Sequence, residues 1–185
     1  MTFSSATPFD ILTDYERRSL THVAGLPDQI DAPGLWRGIA FRLGAKRLAA
    51  SFAEVVEIIS VPPLTPVPGA DTWLLGVANL RSSLLPIVDL KQYLEGERTV
   101  QHATTRALVI RQSGGNVAVL IDELLGQRNF NEGQIVAVEG VAGSGYAPFV
   151  QRAYRLGDTV WGVFDMARLT RTPEFRQAAA AQGGM

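Results

Sequence analysis

Cysteine is absent from the 185-residue chain, and its two histidines are His22 and His102. Without cysteine the protein forms neither disulfide bonds nor thiolate metal sites, and it has no thiol nucleophile. Neither histidine lies near a serine in a strand-to-helix elbow, and two isolated histidines do not make a transition-metal site. No Walker-type Lys-Ser/Thr pair follows the glycines of residues 140–145. We therefore predict that the protein is not an enzyme and that it holds no metal or cofactor.

An excess of charge of either sign is also missing, because 17 Lys+Arg stand against 18 Asp+Glu for a net charge of −1. The chain thus has no basic field to gather nucleic acid or an anionic membrane surface. No apolar run approaches the roughly 20 residues that span a bilayer, and the first residues lack the features of a signal peptide. We expect a cytoplasmic protein that neither inserts into a membrane nor binds nucleic acid.

What the chain has in abundance is short apolar runs, and two of them lie side by side. Leu74–Leu80 and Leu84–Leu90 are joined by the polar tripeptide Arg81-Ser82-Ser83. Runs of this length, rich in Val, Ile and Leu, predict a buried β-hairpin, and Gly76 and Pro86 argue against the alternative of a buried helix. Because proline cannot donate to a ladder, Pro86 indicates an edge, a bulge or a barrel corner.

Strand signals also fill most of the remaining chain, whereas helix signals lie near its ends. A helical turn is expected at Lys91–Leu94, an amphipathic helix over residues 9–23, and a C-terminal helix that starts with Thr172-Pro173 and runs to about Ala181. The other predicted strands are Trp36–Leu43, Arg47–Phe52, Ala53–Ile59, Arg106–Gln112, Val117–Asp122, Glu123–Phe130, Phe149–Leu156 and Thr159–Asp165.

The order of elements repeats once along the chain. Gly44–Glu57 aligns with Ser113–Gly126, since each has a glycine turn, an apolar strand and an acidic residue before an apolar pair. Leu85–Leu90 likewise aligns with Trp161–Met166. A unit of five short strands buries little surface alone, so two such units should pack on a shared core. Short antiparallel strands with a proline-marked corner favour small barrels over an open sheet.

Three charged residues near the hairpin are candidates for a catalytic or binding site. Glu54 and Glu57 lie on opposite sides of a strand-like stretch, so they should not converge on one bond, and we expect solvated carboxylates unless a partner is found. Arg81 at the tip of the hairpin is either solvated or paired, and Glu57 is the expected partner. Such a pair contributes ~0–1 kcal/mol. Its value would lie in an oriented charge beside apolar residues, which is typical of recognition surfaces.

The hairpin sequence resembles the core signature of the CheW family, whose members are adaptors that couple chemoreceptors to a histidine autokinase. The residues that carry the resemblance are Gly76–Arg81 followed by Leu84–Leu90. Val56-Glu57-Ile58 resembles the acidic strand-end motif of the family, and Val119–Gly126 resembles its counterpart in the second half. The match covers roughly residues 36–169, which is nearly all of the strand-rich region.

The resemblance implies a mostly β fold with two five-stranded SH3-like barrels that share a core, and short flanking helices at both termini. It agrees with the repeat described above. The implied organisation is an N-terminal extension with a helix over residues 1–35, a CheW-like domain over 36–169 and a C-terminal helix and tail over 170–185. Within the domain, one barrel is expected near 36–95 and the other near 104–169, with exchange of segments at their ends.

The resemblance also implies a scaffold with two protein partners. One barrel would dock on the regulatory domain of a CheA-like histidine kinase, and the groove between barrels would hold the helical hairpin tip of a methyl-accepting chemoreceptor. The protein would then be recruited from the cytoplasm to membrane-associated receptor arrays. The receptor-contacting residues are expected to be Glu57 and Arg81 with their neighbours Asn79, Leu80 and Leu84. The kinase-contacting residues are expected to be Val55, Ile59 and Leu64.

Two details qualify this reading. The segment Pro8–Leu12 with Glu16-Arg17-Arg18 resembles the branch of the family that serves type IV pilus (twitching) chemosensory systems. Ser82 departs from the family, which commonly has glycine after the motif arginine; if the position needs a positive φ, serine costs on the order of 1 kcal/mol.

The alternative function is a small-molecule sensor with its ligand at the junction of the barrels, where such sites are common.

Overall fold

The structure, a computed structural model, describes residues 34–112, 115–141, 143 and 145–180. The helix predicted over residues 9–23 and the last residues of the tail lie outside the described residues. The strands are β1 (Leu35–Leu43), β2 (Lys46–Ser51), β3 (Val55–Ile59), β4 (Leu74–Leu80), β5 (Ser83–Asp89), β6 (Arg106–Gln112), β7 (Gly115–Ile121), β8 (Glu123–Asn131), β9 (Ile135–Val136), β10 (Val150–Leu156) and β11 (Thr159–Phe164). The helices are α1 (Leu90–Glu95), α2 (Met166–Thr170) and α3 (Pro173–Ala180), with a 3₁₀ turn at Glu132–Gln134.

The strands form two sheets, and each sheet takes strands from both halves of the chain. One sheet has the order β3-β6-β7-β5-β4 and is called here the five-stranded barrel. The other, the six-stranded barrel, has the order β8-β1-β2-β11-β10-β9, in which β9 adds only two residues. The predicted fold class of two SH3-like barrels around a shared core is confirmed. The expected barrels near 36–95 and 104–169 exchange more than their end segments. The chain crosses from one barrel to the other after β2 and crosses back after β7.

The internal repeat is reproduced in the strand pairing. β3 pairs with β6 so that Glu57 lies opposite Val109, and β8 pairs with β1 so that Gly126 lies opposite Ala40. These are equivalent positions of the two halves, and both pairings carry a bulge at the equivalent step. The parallel pairings of β5 with β7 and of β11 with β2 are equivalent as well. The two barrels are therefore related by the repeat, with strands exchanged between them.

Burial on both faces explains why the strands read as continuous apolar runs. In β6, Leu108 and Ile110 pack into the core shared by the two sheets, whereas Ala107 and Val109 pack inside the five-stranded barrel. Side chains alternate across a strand, so each barrel wall contributes one face to its own interior and one to the shared core. The interior of the six-stranded barrel is filled by large aromatic rings, namely those of Trp36, Phe130, Tyr154 and Trp161.

Pro86 lies at a corner of the five-stranded barrel, as the sequence predicts. It stands opposite Val77, whose backbone N–H and C=O bond to Thr65 and so point away from β5. The nitrogen of Pro86 therefore faces the β7 side, where pairing begins only at Ile87, and the missing N–H removes no ladder bond. At the equivalent place in the other half, β11 begins to pair with β2 at Gly162.

An aspartate closes β5 and β11 and begins the helix that follows each strand. The side chain of Asp89 accepts a hydrogen bond from the backbone of Gln92 at the start of α1, and Asp165 accepts one from Arg168 at the start of α2. The C-terminal helix begins at Pro173, as predicted. None of the helices in the described part of the chain combines the length and apolar content that a bilayer crossing needs.

Candidate functional site

The turn between β4 and β5 holds two consecutive residues in the left-handed region. Leu80 pairs with Ser83, so the connection is the two-residue turn Arg81-Ser82 and not the predicted tripeptide. Both residues have a positive φ, 50° at Arg81 and 66° at Ser82. Positive φ at both central positions is what a type I′ hairpin turn requires, and glycine and asparagine adopt it most readily. The side chain of Asn79 supports the turn, because its Oδ1 accepts a hydrogen bond from the Ser82 N–H at 3.1 Å.

Substitution of Ser82 by glycine is expected to stabilise the protein by about 0.5–1 kcal/mol. Glycine removes the strain of the left-handed conformation, which costs serine about 1–2 kcal/mol in the folded state. Part of this gain is cancelled because glycine also increases the conformational entropy of the unfolded chain. The free energy of unfolding in urea measures the effect. Ser83→Gly is the matched control, since Ser83 lies in β5 without a positive φ and should lose about 0.5–1 kcal/mol. Loss of stability in both variants would show that the turn is not strained at Ser82.

An ion pair joins the turn to the opposite edge of the same sheet. The Arg81 guanidinium donates from Nη2 to Oε1 of Glu57 at 2.7 Å. β3 and β4 are the two outer strands of the five-stranded sheet, so the pair forms because the sheet curls into a barrel. The bulge in β3 leaves Val56 as the extra residue before Glu57. The predicted pairing of Arg81 with Glu57 is thus present.

The pair lies at the surface and contributes little to stability. The Arg81 side chain is 76% exposed and that of Glu57 is 29% exposed. Exposed pairs of this kind contribute about 0–1 kcal/mol. The guanidinium is nevertheless held in one direction, by the carboxylate on one side and by the strained turn on the other. A partner that binds this oriented charge pays less of the entropy cost of immobilising a freely rotating arginine side chain.

Apolar side chains stand beside the ion pair on the outer face. Leu84 is 62% exposed and Val56 is 46% exposed. Asn79 lies directly across the hairpin from Leu84 and is also exposed. Of the predicted receptor-contacting residues, only Leu80 turns inward, where it is half-buried against the interior of the five-stranded barrel. Sequence reasoning missed Val56, because its exposure follows from a bulge that the apolar run Val55–Ile59 does not reveal.

The predicted kinase-contacting residues are less accessible. Val55 is half-buried against the shared core. Ile59 and Leu64 are half-buried against the interior of the five-stranded barrel. Val55 and Ile59 lie in β3, which is an outer strand of its sheet, and Leu64 lies in the connector that follows it.

Glu54 is not the solvated carboxylate that we expected. Its Oε2 accepts a hydrogen bond from the Ser51 N–H at 3.1 Å, and its Oε1 accepts one from the Ala167 N–H at 2.9 Å. Burial raises the pKa of Glu54, and these backbone hydrogen bonds offset the rise only in part. The carboxylate therefore ties the turn before β3 to the start of α2. In the described residues no group of three His, Asp or Glu side chains is arranged to hold a metal ion.

Among the residues that the structure describes, the second barrel has no ion pair equivalent to Arg81–Glu57. Its hairpin β10–β11 also closes with two residues, Gly157-Asp158, between the paired Leu156 and Thr159. In the repeat, Gly157 takes the place of Arg81 and Gly126 takes the place of Glu57. The two barrels share a backbone plan, but the turn arginine with its paired glutamate occurs on one of them. This asymmetry gives the molecule one distinguishable site on a pseudo-symmetric frame.

The described part of the chain is a scaffold of two SH3-like barrels with exchanged strands, and one barrel carries a surface ion pair near exposed apolar residues. The model of the CheW-like domain matches residues 37–174, and the chain belongs to the CheW-like family. The resemblance seen in the hairpin motif is therefore confirmed.

The relatives come from several bacteria. Protein PilI of Pseudomonas aeruginosa is 39% identical over 124 residues, which cover 67% of this chain and 70% of PilI. The chemotaxis protein CheW of Rhizobium meliloti is 37% identical over 90 residues, or 47% of this chain and 58% of that protein. Protein FrzA of Myxococcus xanthus is 34% identical over 90 residues, or 48% of this chain and 55% of FrzA. The expected similarity to the pilus branch of the family is borne out by PilI.

A solved structure supports the fold independently. The crystal structure of the scaffolding protein TtCheW from Thermoanaerobacter tengcongensis superposes with a TM-score of 0.65, covering 75% of this chain and 94% of that one. Its sequence identity is only 16%, so the likeness concerns the arrangement of the barrels.

Proposed function

We propose that the protein is a non-enzymatic adaptor that couples methyl-accepting chemoreceptors to a CheA-like histidine autokinase in a chemosensory array, and that this array controls type IV pilus twitching motility. The observation that carries the proposal is the oriented Arg81–Glu57 pair beside the exposed Leu84. Membership of the CheW-like family and the similarity to PilI support the choice of partners and of system. The adaptor would act in the cytoplasm, at receptor arrays on the membrane.

The receptor tip is proposed to contact the ion-pair surface. Leu84, Val56 and Asn79 supply exposed apolar and amide groups around the charged pair. A recognition surface commonly combines a few central anchors with surrounding neutral contacts, and arginine is enriched among such anchors. The kinase regulatory domain is proposed to dock on the side of the same barrel that carries Val55, Ile59 and Leu64.

A sensor function has less support. The space between the sheets is filled by the side chains of the shared core. A cavity lies at the rim of the junction, and its lining shares no residue with the Arg81–Glu57 pair. The adaptor is therefore the function that the site favours.

Arg81→Ala and Glu57→Ala are each expected to weaken binding of a soluble receptor-tip fragment about tenfold or more, as loss of a central anchor does. The melting temperature should barely change, because an exposed pair contributes about 0–1 kcal/mol. Isothermal titration calorimetry measures the affinity of each variant for the receptor fragment and for the kinase regulatory domain. Arg155→Ala is the matched control, since Arg155 is an exposed arginine on β10 of the other barrel.

Several outcomes would overturn the proposal. No complex with the kinase regulatory domain at high micromolar concentration would exclude the adaptor role. A large loss of stability in Arg81→Ala would show that the ion pair holds the barrel together instead of presenting a charge. Equal weakening by Arg155→Ala would show that receptor binding senses overall charge and not this site.

A further inference from the structure

A cavity of about 480 Å³ opens at the rim of the junction between the barrels. Its walls come from the turn before β3, the end of β6, and the consecutive helices α2 and α3. Ala53, Met166 and Ala167 supply apolar surface, and polar or charged side chains form the rest. Ligand pockets for small molecules typically have volumes of about 300–1,000 Å³, so this one has room for a compact ligand.

Three arginines from separate elements line this cavity: Arg111 at the end of β6, Arg171 after α2 and Arg176 in α3. Their guanidinium groups make no hydrogen bond or ion pair with any of the described residues, unlike those of Arg42 and Arg81. Unpaired arginines on a surface are ordinary. Three of them around one concave space create a local positive potential that selects anions.

The one carboxylate in the lining offsets only part of this potential, because three arginines face a single acid. Both oxygens of Glu54 accept hydrogen bonds from the backbone N–H groups of Ser51 and Ala167, so the carboxylate is held in the wall and not on an arginine. The three guanidinium groups thus remain available to another acid.

A buried acceptor in the same lining lacks a partner. Gln112 lines the cavity, and its Oε1 is buried without a hydrogen bond among the described residues. A buried acceptor left unsatisfied is unfavourable, and a donor on a ligand would relieve that cost. A hydroxyl or a protonated acid group beside an anionic group has the required chemistry.

We propose that this cavity binds a small polyanion, a molecule with two or more carboxylate or phosphate groups and a hydroxyl or acid proton. Guanidinium forks pair with carboxylate and phosphate oxygens in bidentate fashion, and three forks around one space favour a ligand with several such groups. The modest volume and the walls formed by four separate elements favour a free small molecule over a segment of an acidic protein. The site is separate from the Arg81–Glu57 surface and its occupation does not depend on the adaptor function.

The test is calorimetric titration of the full chain with citrate and with pyrophosphate in about 20 mM salt, where screening is weak. Saturable binding at one site per chain is expected. Arg111→Gln and Arg171→Gln should each weaken it about tenfold, the loss of a hydrogen bond to a charged group. Because both side chains are exposed and unpaired, the melting temperatures of the variants should match that of the parent protein.

The matched control is Arg155→Gln, which removes the same charge far from the cavity lining and should leave binding within about twofold. The proposal would be overturned if Arg155→Gln weakened anion binding as much as the cavity variants do, or if the titration did not saturate. Either result would show that the protein attracts anions through its general charge and not at this cavity. Tighter binding of a hexaglutamate peptide than of citrate, lost in Arg171→Gln, would overturn it in favour of an acidic protein segment.

Discussion

Substitution of Gly76 by alanine is expected to destabilise the protein by about 4 kcal/mol, the largest effect of any single change to the hairpin. Gly76 has a φ of 145°, a conformation that residues with a side chain rarely adopt. A Cβ at this position would also overlap the carbonyl oxygen of Thr65. That oxygen cannot move freely, because Thr65 exchanges two backbone hydrogen bonds with Val77. The alanine variant must therefore displace the connector between β3 and β4 or distort the hairpin itself.

The two causes can be separated with a second glycine. Gly115 has a nearly identical φ of 143°, but a Cβ there meets no atom within 4 Å. Gly115→Ala should therefore cost only the backbone strain, about 1–3 kcal/mol. Urea unfolding of both variants measures the difference, which we expect to be about 2 kcal/mol in favour of Gly115→Ala. Equal losses would show that the connector yields easily to the added methyl group.

The same hairpin shows what the sequence can predict about local structure. Its two apolar runs and its proline are enough to place β4, β5 and the barrel corner, because each signal acts over a few neighbouring residues. The only sequence signal for an unusual turn is Ser82, which occupies a position where the family commonly has glycine. That Arg81 also adopts a positive φ cannot be read from its identity, because the pairing of Leu80 with Ser83 imposes it.

The exchange of strands between barrels marks the limit of such reasoning. The repeat predicts two equivalent halves, and the pairing reproduces that equivalence down to the bulges. A strand buried on both faces is apolar throughout, however, so its sequence does not specify which neighbours it joins. The runs of β6 and β7 would suit either barrel by composition alone. Their partners are fixed by long-range packing on the shared core.

The arginine-lined cavity is beyond prediction for a related reason. Arg111, Arg171 and Arg176 follow no common spacing, and each resembles an ordinary solvated residue in its own segment. Glu54 was expected at the surface because its two partners, at positions 51 and 167, are distant from each other in the chain. The Arg81–Glu57 pair can be predicted because the strand that carries Glu57 should neighbour the hairpin in a small barrel.

Asp89→Ala is expected to destabilise the protein by about 3 kcal/mol, because a buried hub of hydrogen bonds is lost. The carboxylate is 1% exposed and accepts three hydrogen bonds, from the Gln92 N–H at 3.1 Å, the Thr99 N–H at 2.8 Å and the Thr99 hydroxyl at 2.7 Å. Alanine would leave the buried donors of Thr99 without an acceptor. It would also release the segment after α1, which these bonds tie back to the end of β5.

The repeat supplies the matched control for Asp89. Asp165 ends the equivalent strand and caps α2, but its side chain makes only one hydrogen bond of those described, from the Arg168 N–H at 2.7 Å. Asp165→Ala should thus cost about 1 kcal/mol, the usual loss of a helix cap. Asp89→Asn should fall between the two, since one of its terminal atoms would face the Thr99 N–H as a donor. Urea unfolding at neutral pH ranks the three variants. Similar losses for Asp89→Ala and Asp165→Ala would mean that Asp89 acts only as a cap and that Thr99 finds other partners.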